Sequence, residues 1–306
     1  RPVVGRFAPS PTGRMHAGNI YAALSAWLVA KSQGGTIVLR IEDLDRDRSK
    51  AEYISAVQRD FELLGLTWDH GPFFQHDRDE AYLEAFSALE RRGLVYPCFC
   101  TRADLHAASA PHRGEKFVYP GTCRGLTAEQ IAEKSMRRAP AQRLRVPDDT
   151  YSFEDMVQGR YKQNLAHDCG DFLIRRSDQA FAYQLAVVVD DAAQGVTSIV
   201  RGVDLLCSTP QQLYLQELLG LDHPRYAHIP LLVAEKNRRL SKRDHDAGIE
   251  ELLARFKTPA AIIGHIAGIC GLAPTCDPAT PEQLLATFDV ARLPELFSDS
   301  VQIPWR

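Results

Sequence analysis

Residues 3–19 read Val-Val-Gly-Arg-Phe-Ala-Pro-Ser-Pro-Thr-Gly-Arg-Met-His-Ala-Gly-Asn, and this stretch decides the fold of the N-terminal part. Its first five residues predict an apolar strand, residues 8–18 a loop rich in proline and glycine, and residues 20–31 a helix with apolar side chains at helical spacing. A second apolar strand is predicted at residues 36–41, which completes a βαβ unit with Asn19 as the N-cap of the helix. The loop delivers backbone N–H groups to a helix N-terminus, where a phosphate could bind.

Helices and strands alternate through most of the remaining sequence. Helical periods are predicted at residues 51–64, 80–92, 210–219, 248–256, 259–270 and 281–288, and extended apolar runs that resume the sheet at 142–146, 172–176, 185–189 and 196–200. Residues 96–125 contain cysteine, proline and glycine without either period and are predicted to form an inserted module. This order of elements indicates an α/β protein with a parallel sheet.

The composition is that of an ordinary globular protein. The 306 residues are 45% hydrophobic and 25% charged with a net charge of −3, which excludes the disordered, collagen-like and coiled-coil classes. No apolar run approaches the ~18 residues that span a bilayer, and the chain opens without the apolar stretch of a signal peptide, so we expect a cytoplasmic protein without membrane contact. Seven cysteines are too few for a disulfide scaffold at this length and favour reduced thiols or a metal site.

The N-terminal loop carries a family signature. Arg6-Phe7-Ala8-Pro9-Ser10-Pro11-Thr12-Gly13, followed by His16-Ala17-Gly18-Asn19, resembles the opening of glutamyl-tRNA synthetases and their relatives, which are class I aminoacyl-tRNA synthetases. The second segment would be a variant of the family's His-Ile-Gly-His signature. An imidazole N–H beside a helix N-terminus can stabilise charge that builds on the α-phosphate of ATP, so His16 is a candidate catalytic residue. The alternative is a loop that is merely rich in turn residues.

A second signature of the same family lies in the basic stretch 236–245. Leu240-Ser241-Lys242, preceded by Arg239, resembles the Lys-Met-Ser-Lys-Ser loop, and the resemblance implies that Lys242 contacts the triphosphate in the transition state. It also implies catalysis by His16 and Lys242 with Mg²⁺ on the nucleotide. The implied ATP site consists of His16, Gly18, Asn19 and Lys242. By itself the stretch would be interpreted as an exposed basic turn.

Three charged residues are candidates for binding the amino acid. Glutamate needs a cation for its side-chain carboxylate and an anion for its α-ammonium group. Arg6 and Arg201 are the candidate cations and Glu42 is the candidate anion; each stands at the end of a predicted strand, so they would meet at the carboxyl edge of a parallel sheet. Singly, each would be interpreted as a surface salt bridge. The resemblance adds the other residues expected to contact glutamate: Phe7, Ala8, Pro9, Ser10 and Tyr183.

Cysteine and tyrosine are spaced as a candidate metal site in Cys98-x-Cys100 and Tyr119-x-x-x-Cys123. Three thiolates that can fold onto one centre suit tetrahedral zinc. Chemistry alone favours His106 or His112 as the fourth ligand, whereas the resemblance to short members of the family implies Tyr119. A water molecule could also complete the coordination, or the segment could bind no metal. We expect one structural zinc ion per chain.

The resemblance covers nearly the whole chain. It implies a Rossmann-like class I catalytic domain with an inserted zinc-bearing module and a short helical C-terminal region. The expected division assigns 1–95 to the first half of the catalytic domain, 96–125 to the zinc-binding insert, 126–235 to an acceptor-side insert and the second half, and 236–306 to the signature loop and C-terminal helices. Because only about 60 residues follow the basic stretch, no anticodon-binding domain is expected.

Within the family, the sequence most resembles truncated relatives of glutamyl-tRNA synthetase. This implies a monomer that activates L-glutamate with ATP without tRNA, and then transfers glutamate to the queuosine base at the wobble position of tRNA-Asp. Phosphate contacts are expected from residues 236–243 and from Arg137, Arg138, Arg143 and Arg145. Three competing hypotheses are a truncated conventional synthetase that charges the 3′ end of tRNA-Glu, a nucleotidyl-transferring ligase similar to pantothenate synthetase, and a zinc-bearing RNA-binding module without catalysis.

Overall fold

The computed structural model describes residues 1–101, 103–104, 118–234, 238–239, 248–297 and 302–305. Its strands are β1 (Val4–Phe7), β2 (Thr36–Ile41), β3 (His70–Phe74), β4 (Val95–Cys98), β5 (Ala141–Leu144), β6 (Thr150–Asp155), β7 (Gly159–Asn164), β8 (Phe172–Arg175), β9 (Ser198–Gly202), β10 (Arg225–Ile229), β11 (Leu231–Ala234), β12 (Arg238–Arg239) and β13 (Gln302–Pro304). Its helices are α1 (Ala17–Lys31), α2 (Ala51–Leu63), α3 (Asp79–Arg91), α4 (Ala128–Arg137), α5 (Tyr183–Ala193), α6 (Thr209–Leu219), α7 (Ile249–Phe256), α8 (Pro259–Ile269), α9 (Pro281–Leu285) and α10 (Leu293–Phe297). None of the helices in these described ranges is long and apolar enough to cross a membrane.

The parallel strands bring the ends of β1 and β9 side by side. β1 pairs in parallel with β2, β2 pairs in parallel with β3, and β9 pairs in parallel with β10. The backbone N–H of Thr197, just before β9, donates to the carbonyl of Val4 in β1 at 2.9 Å. After β1 the chain turns into α1, whereas after β9 it enters the 3₁₀ segment Val203–Ser208. The two connections diverge and leave a crevice at the carboxyl ends of these strands.

Helix α1 is the centre of the main hydrophobic core. Eleven of its fifteen residues are buried, and it contacts β1, β9, α8 and α9. Gly5 permits the close approach of helix and sheet, because a Cβ there would lie 3.0 Å from Ile37 Cδ1 and 3.1 Å from Ala30 Cβ. Dense packing therefore fixes the position of the helix whose N-terminus faces the crevice.

The cysteine-containing segment begins in a three-stranded antiparallel sheet, one of four sheets in the described residues. Strands β4, β5 and β8 pair antiparallel in that order, and a second core joins β5 and β8 to α3, α5 and α6. Tyr96 and Cys98 belong to β4, so the prediction that residues 96–125 lack strand structure is wrong at the start of that segment.

The βαβ unit at residues 4–41 is confirmed. The runs at 142–146 and 172–176, predicted to resume its sheet, do not, because β5 and β8 pair antiparallel in a separate sheet with β4. One further apolar run has the wrong predicted structure. Residues 185–189, predicted as extended, lie in helix α5. The run Leu185–Val188 is buried throughout, and a helix that is buried on every side has no amphipathic period to distinguish it from a buried strand. Helix α4 is not among the predicted elements, and none of its residues is buried.

Candidate active site

His16 caps helix α1 and fixes the end of the β1–α1 loop. Its Nδ1 accepts a hydrogen bond from the backbone N–H of Gly18 at 3.1 Å, and the carboxamide oxygen of Asn19 accepts from the backbone N–H of His16 at 3.1 Å. The two side chains form a reciprocal capping box, so the N-cap is His16 and the prediction of Asn19 is wrong. Since Nδ1 accepts, the ring hydrogen lies on Nε2, which makes Nε2 the donor of the imidazole.

Arg14 ties the same loop to two helices. Its Nε and Nη2 donate to the buried carboxylate of Asp60 in α2 at 3.3 and 2.9 Å, and its Nη1 donates to Glu250 in α7 at 2.6 Å. The hydrogen bond to Asp60 holds the pKa of Arg14 above its usual value. The loop is therefore joined to α2 through a buried carboxylate and to α7 through an exposed ion pair.

The chain lies beside this loop again at Gly248 and Ile249, shortly after the second signature in the sequence. Lys242 itself lies outside the described residues. Downstream, Gly248 forms a β-bridge with His16, and the backbone N–H of Ile249 donates to the carbonyl of Met15 at 3.0 Å. The residues that follow the basic stretch are thus docked beside the residue that caps α1.

Two arginines share one buried carboxylate near the ends of β1 and β2. Oδ1 of Asp191 in α5 accepts from Arg6 Nε at 3.0 Å and from Arg40 Nη1 at 2.7 Å, and Arg40 Nη2 also donates to Glu42 at 3.2 Å. Burial opposes ionisation of Asp191, but Arg6 and Arg40 outweigh it and hold the pKa of Asp191 below its usual value. At Glu42 burial prevails over the same arginines and raises the pKa. Glu42 is therefore the carboxylate that a further cation would stabilise.

Arg201 is held by uncharged partners. Its Nε donates to His228 Nε2 at 3.0 Å, and its Nη2 donates to Thr209 Oγ1 at 2.8 Å. His228 is fully buried, and its Nδ1 lies 2.6 Å from the Asp155 carboxylate. Nη1 of Arg201 is buried and has no hydrogen-bond partner within the described part of the chain. Among the described residues Arg201 forms no ion pair, although its charge helps to lower the pKa of Asp191, and one of its donors is unused.

A cavity of about 540 Å³ occupies the crevice. Most residues predicted to bind glutamate or ATP line it: Arg6, Phe7, Ala8, Pro9, Ser10, His16, Asn19, Glu42, Tyr183 and Arg201. Gly18 is not in the lining, and its N–H is used by His16. Burial raises the pKa of Tyr183, and the negative charge of Glu42 adds to this, so the phenol remains a hydrogen-bond donor.

The lining of the cavity carries charges of both signs. Its cations are Arg6, Arg14 and Arg201 and its carboxylates are Glu42 and Asp204, while Arg40 and Asp191 are paired behind the lining. Because Asp191 already serves two arginines, the groups left for a ligand are the Arg201 guanidinium and the Glu42 carboxylate. An amino acid with an acidic side chain would satisfy both groups.

Three thiols and one phenol meet in the cysteine-containing segment. The Sγ atoms of Cys98, Cys100 and Cys123 lie within 4.8 Å of one another, with 3.7 Å between Cys100 and Cys123. Tyr119 Oη lies 3.5 Å from Cys98 Sγ and 3.7 Å from Cys100 Sγ. Zinc–sulfur bonds of ~2.3 Å at tetrahedral angles place two sulfurs about 3.7 Å apart. The four side chains therefore have the spacing of a tetrahedral zinc site.

Arg143 packs against this cluster from β5. Its guanidinium lies 3.7 Å from the ring centre of Tyr119, and its Nε donates to Cys98 Sγ at 3.2 Å. Burial opposes ionisation of Cys98, but hydrogen bonds from Tyr119 and Arg143 hold the pKa of Cys98 below its usual value. Because Arg143 is buried here, the prediction that it contacts RNA phosphates is wrong. His106 and His112, the histidines considered as zinc ligands, lie outside the described residues.

Four residues that shape the cavity from behind its lining could not be found from the sequence: Arg40, Asp155, Asp191 and His228. The one visible signal was the Asp190-Asp191 pair at the end of an apolar run, since two carboxylates beside buried residues require partners. Arg40 and His228 lie inside strands and belong to no motif.

This combination of crevice, capping histidine and charged pocket defines a class of enzyme. The chain belongs to the class I tRNA synthetases, because the family model for "tRNA synthetases class I (E and Q), catalytic domain" matches residues 2–272. Its relatives include the glutamyl-Q tRNA(Asp) synthetase of Nitratidesulfovibrio vulgaris, which is 44% identical over 95% of this chain and 93% of the relative. The glutamyl-Q tRNA(Asp) synthetase of Symbiobacterium thermophilum is 42% identical over 98% of this chain and 95% of the relative.

Solved structures are similar in fold over the whole chain. A glutamate tRNA ligase from Elizabethkingia meningosepticum, in complex with its amino acid, superposes with a TM-score of 0.81 at 23% identity, over 99% of this chain and 67% of that chain. A glutamate-tRNA synthetase from Elizabethkingia anophelis gives a TM-score of 0.82 at 23% identity, over 100% and 68%. The predicted class I catalytic domain, with its α/β fold and parallel sheet, is confirmed.

Proposed function

We propose that the protein activates L-glutamate with ATP in the cytoplasm and transfers the glutamyl group to the queuosine base at the wobble position of tRNA-Asp. The observation that carries the first half is buried Arg201, which lines the same cavity as Glu42 and whose Nη1 has no hydrogen-bond partner within the described residues. The second half is supported by relatives named glutamyl-Q tRNA(Asp) synthetase that match nearly the whole chain.

Glutamate binds by charge complementarity. Arg201 pairs with the side-chain carboxylate, and Glu42 pairs with the α-ammonium group, whose charge offsets the burial that raises the pKa of Glu42. Arg6 belongs to β1 and lines the cavity, and its partner Asp191 keeps it in place beside Glu42. Ser10 and the Tyr183 hydroxyl supply further hydrogen-bonding groups from the cavity lining.

Activation joins the α-carboxylate of glutamate to the α-phosphorus of ATP and releases pyrophosphate. His16 donates through Nε2 to the phosphate oxygens, because its Nδ1 is engaged with Gly18, and the N-terminal N–H groups of α1 add to the same field. Asn19 keeps His16 in this orientation. Lys242 contacts the triphosphate from the segment that ends at Gly248, and Mg²⁺ bound to ATP offsets the phosphate charge.

Transfer forms an ester with a hydroxyl of the queuosine base. The hydroxyl oxygen bonds to the carbonyl carbon of the adenylate, the bond from that carbon to the phosphate oxygen breaks, AMP leaves, and the hydroxyl proton passes to solvent or phosphate.

Cys98, Cys100, Cys123 and Tyr119 would hold a structural zinc ion, because their spacing is compatible with a tetrahedral site. The metal would cross-link the segment that follows β4 and would take no part in adenylation. Arg143 offsets the negative charge of the thiolates and holds the Tyr119 ring.

The deciding experiment uses labelled glutamate and tRNA-Asp that ends in a 3′-terminal dideoxyadenosine, so that the terminal ribose offers no hydroxyl. Label should appear on this tRNA-Asp when it contains queuosine, and should be absent when the tRNA comes from cells that lack queuosine. Labelling of tRNA-Glu that requires its 3′-terminal hydroxyls would instead indicate a conventional glutamyl-tRNA synthetase and would overturn the proposed acceptor.

A further inference from the structure

His228 lies beside Arg201 and does not line the cavity. The two residues are register partners on the parallel strands β10 and β9, so that their side chains stand next to each other on the sheet. The imidazole Nε2 accepts from Arg201 Nε at 3.0 Å, and Thr209 Oγ1 lies 3.2 Å from the same nitrogen. His228 can therefore influence a ligand only through Arg201.

Asp155 determines which nitrogen of His228 carries the hydrogen. Its carboxylate accepts from the backbone N–H groups of Val157 and Gln158 at 2.9 Å and of His228 at 3.1 Å. Burial opposes ionisation of Asp155, but these hydrogen bonds, led by the one from the His228 ring, hold its pKa below the usual value. An ionised carboxylate only accepts, so Nδ1 of His228 carries the hydrogen and Nε2 offers its lone pair to Arg201. Burial also lowers the pKa of His228, which keeps the ring neutral.

A neutral hydrogen-bond partner orients an arginine without cancelling its charge, whereas a carboxylate does both. Asp191 both orients Arg6 and cancels its charge. The imidazole of His228 and the hydroxyl of Thr209 orient Arg201 at Nε and Nη2 but leave its charge intact. That charge is then available to an anionic ligand, and Nη1 has no partner in the described chain.

We propose that His228 is a positioning residue for substrate recognition, which orients the Arg201 guanidinium through a neutral acceptor atom and so preserves its charge for the side-chain carboxylate of glutamate. This inference rests on the proposed function, since that function assigns Arg201 to the glutamate side chain. Because His228 does not touch the substrate and acts on binding, its loss should change KM for glutamate more than kcat.

Two amide substitutions test the two ring nitrogens separately. His228→Gln places a carbonyl oxygen near the position of Nε2, where it accepts from Arg201. His228→Asn places an amide nitrogen near the position of Nδ1, where it donates to Asp155 and leaves Arg201 Nε without an acceptor. A lost hydrogen bond to a charged group corresponds to about a 10-fold or larger change.

The measurements are glutamate-dependent exchange of pyrophosphate into ATP and calorimetric titration with L-glutamate. His228→Asn should raise KM and Kd for glutamate about 10-fold or more, and His228→Gln less than about 3-fold, with kcat and KM for ATP nearly unchanged in both. His265→Asn is the matched control, because His265 packs on Phe256 and Trp305 outside the cavity lining and its replacement should leave all constants unchanged.

Equal constants for wild type and His228→Asn, or equal losses in both His228 variants, would overturn this inference and leave the proposed function standing. A wild-type protein that neither binds glutamate nor exchanges pyrophosphate with it would overturn the proposed function and the inference together. If His228→Asn does not fold, Asp155→Asn provides the second test. The amide of the new asparagine can donate to Nδ1 of His228, which moves the ring hydrogen to Nε2. Nε2 then no longer accepts from Arg201 Nε, so an unchanged KM for glutamate would count against the role of His228.

Discussion

Replacement of Asp191 by asparagine removes one charge from the middle of the buried arginine network and preserves its shape. The carboxamide keeps one oxygen acceptor, but Arg40, which is fully buried, loses its nearest counter-charge at 2.7 Å. Glu42 at 3.2 Å and Asp190 at 4.0 Å remain as partners of Arg40. Breaking a buried ion pair on one side costs ~3–5 kcal/mol, and we expect a loss of ~3 kcal/mol in the free energy of unfolding because two carboxylates remain nearby.

Urea and thermal unfolding measure this loss. A loss of ~3 kcal/mol corresponds to a melting temperature lower by roughly 6–12 °C, at ~2–4 °C per kcal/mol. The pH dependence has a defined sign, because Asp191 has a lower pKa in the folded protein than the value of ~3.9 expected after unfolding. Its contribution is complete above about pH 4 and is lost as the pH falls through the folded pKa, so wild type and Asp191→Asn should converge in acid.

Asp222→Asn is the matched control for this experiment. It removes an ion pair with Arg1 in which both side chains are at least 68% exposed, and such pairs contribute less than ~1 kcal/mol. The reasoning is refuted if Asp191→Asn unfolds with the wild-type free energy at neutral pH, or if the difference from wild type persists unchanged below about pH 3.

The proposed function gives three further expectations. In steady-state pyrophosphate exchange, Arg201→Ala should raise KM for glutamate, because the desolvated carboxylate of the substrate loses its partner. Lys242→Ala should instead lower turnover about 10²–10³-fold, with a smaller effect on glutamate affinity. Small and equal effects of the two substitutions would contradict both assignments. Exchange with glutamate should proceed without tRNA and require Mg²⁺, so strict dependence on added tRNA would count against the proposed acceptor. Elemental analysis should find about one zinc per chain. Cys98→Ser should lose the metal and have a lower melting temperature, while adenylation persists. Protein that contains no metal after purification without chelators would exclude the site.

The residues of the first signature could be predicted because their conformation is set locally. Proline and glycine between a short apolar strand and a helical period determine the turn from β1 to α1, and they place His16 at the start of the helix. The wrong N-cap prediction is off by only three positions. Asn19, the predicted N-cap, belongs to the capping box because its side chain accepts from the backbone N–H of the true N-cap, His16. The same local logic locates the cysteines and Tyr119, whose spacing is visible in one short segment.

The network behind the pocket could not be predicted because its partners are far apart in sequence. Arg40 and Asp191 are separated by 151 positions, and His228 and Asp155 by 73. The wrong prediction of an extended run at residues 185–189 also hid the role of Asp191, because it would place Asp191 in a loop after a strand. In helix α5 the same residue faces the ends of β1 and β2.

The sharing of Asp191 also limits the mutational routes by which this pocket could acquire a new substrate. Asp191 serves Arg6 and Arg40, and Arg40 reaches Glu42, so a change at any of these four positions unbalances a neighbour and calls for a compensating second change. Arg201 takes part in none of these ion pairs and is held by hydrogen bonds to uncharged groups. A single substitution there changes what the cavity offers a side chain and breaks no ion pair of this network, so selection for a different amino acid should act first at Arg201.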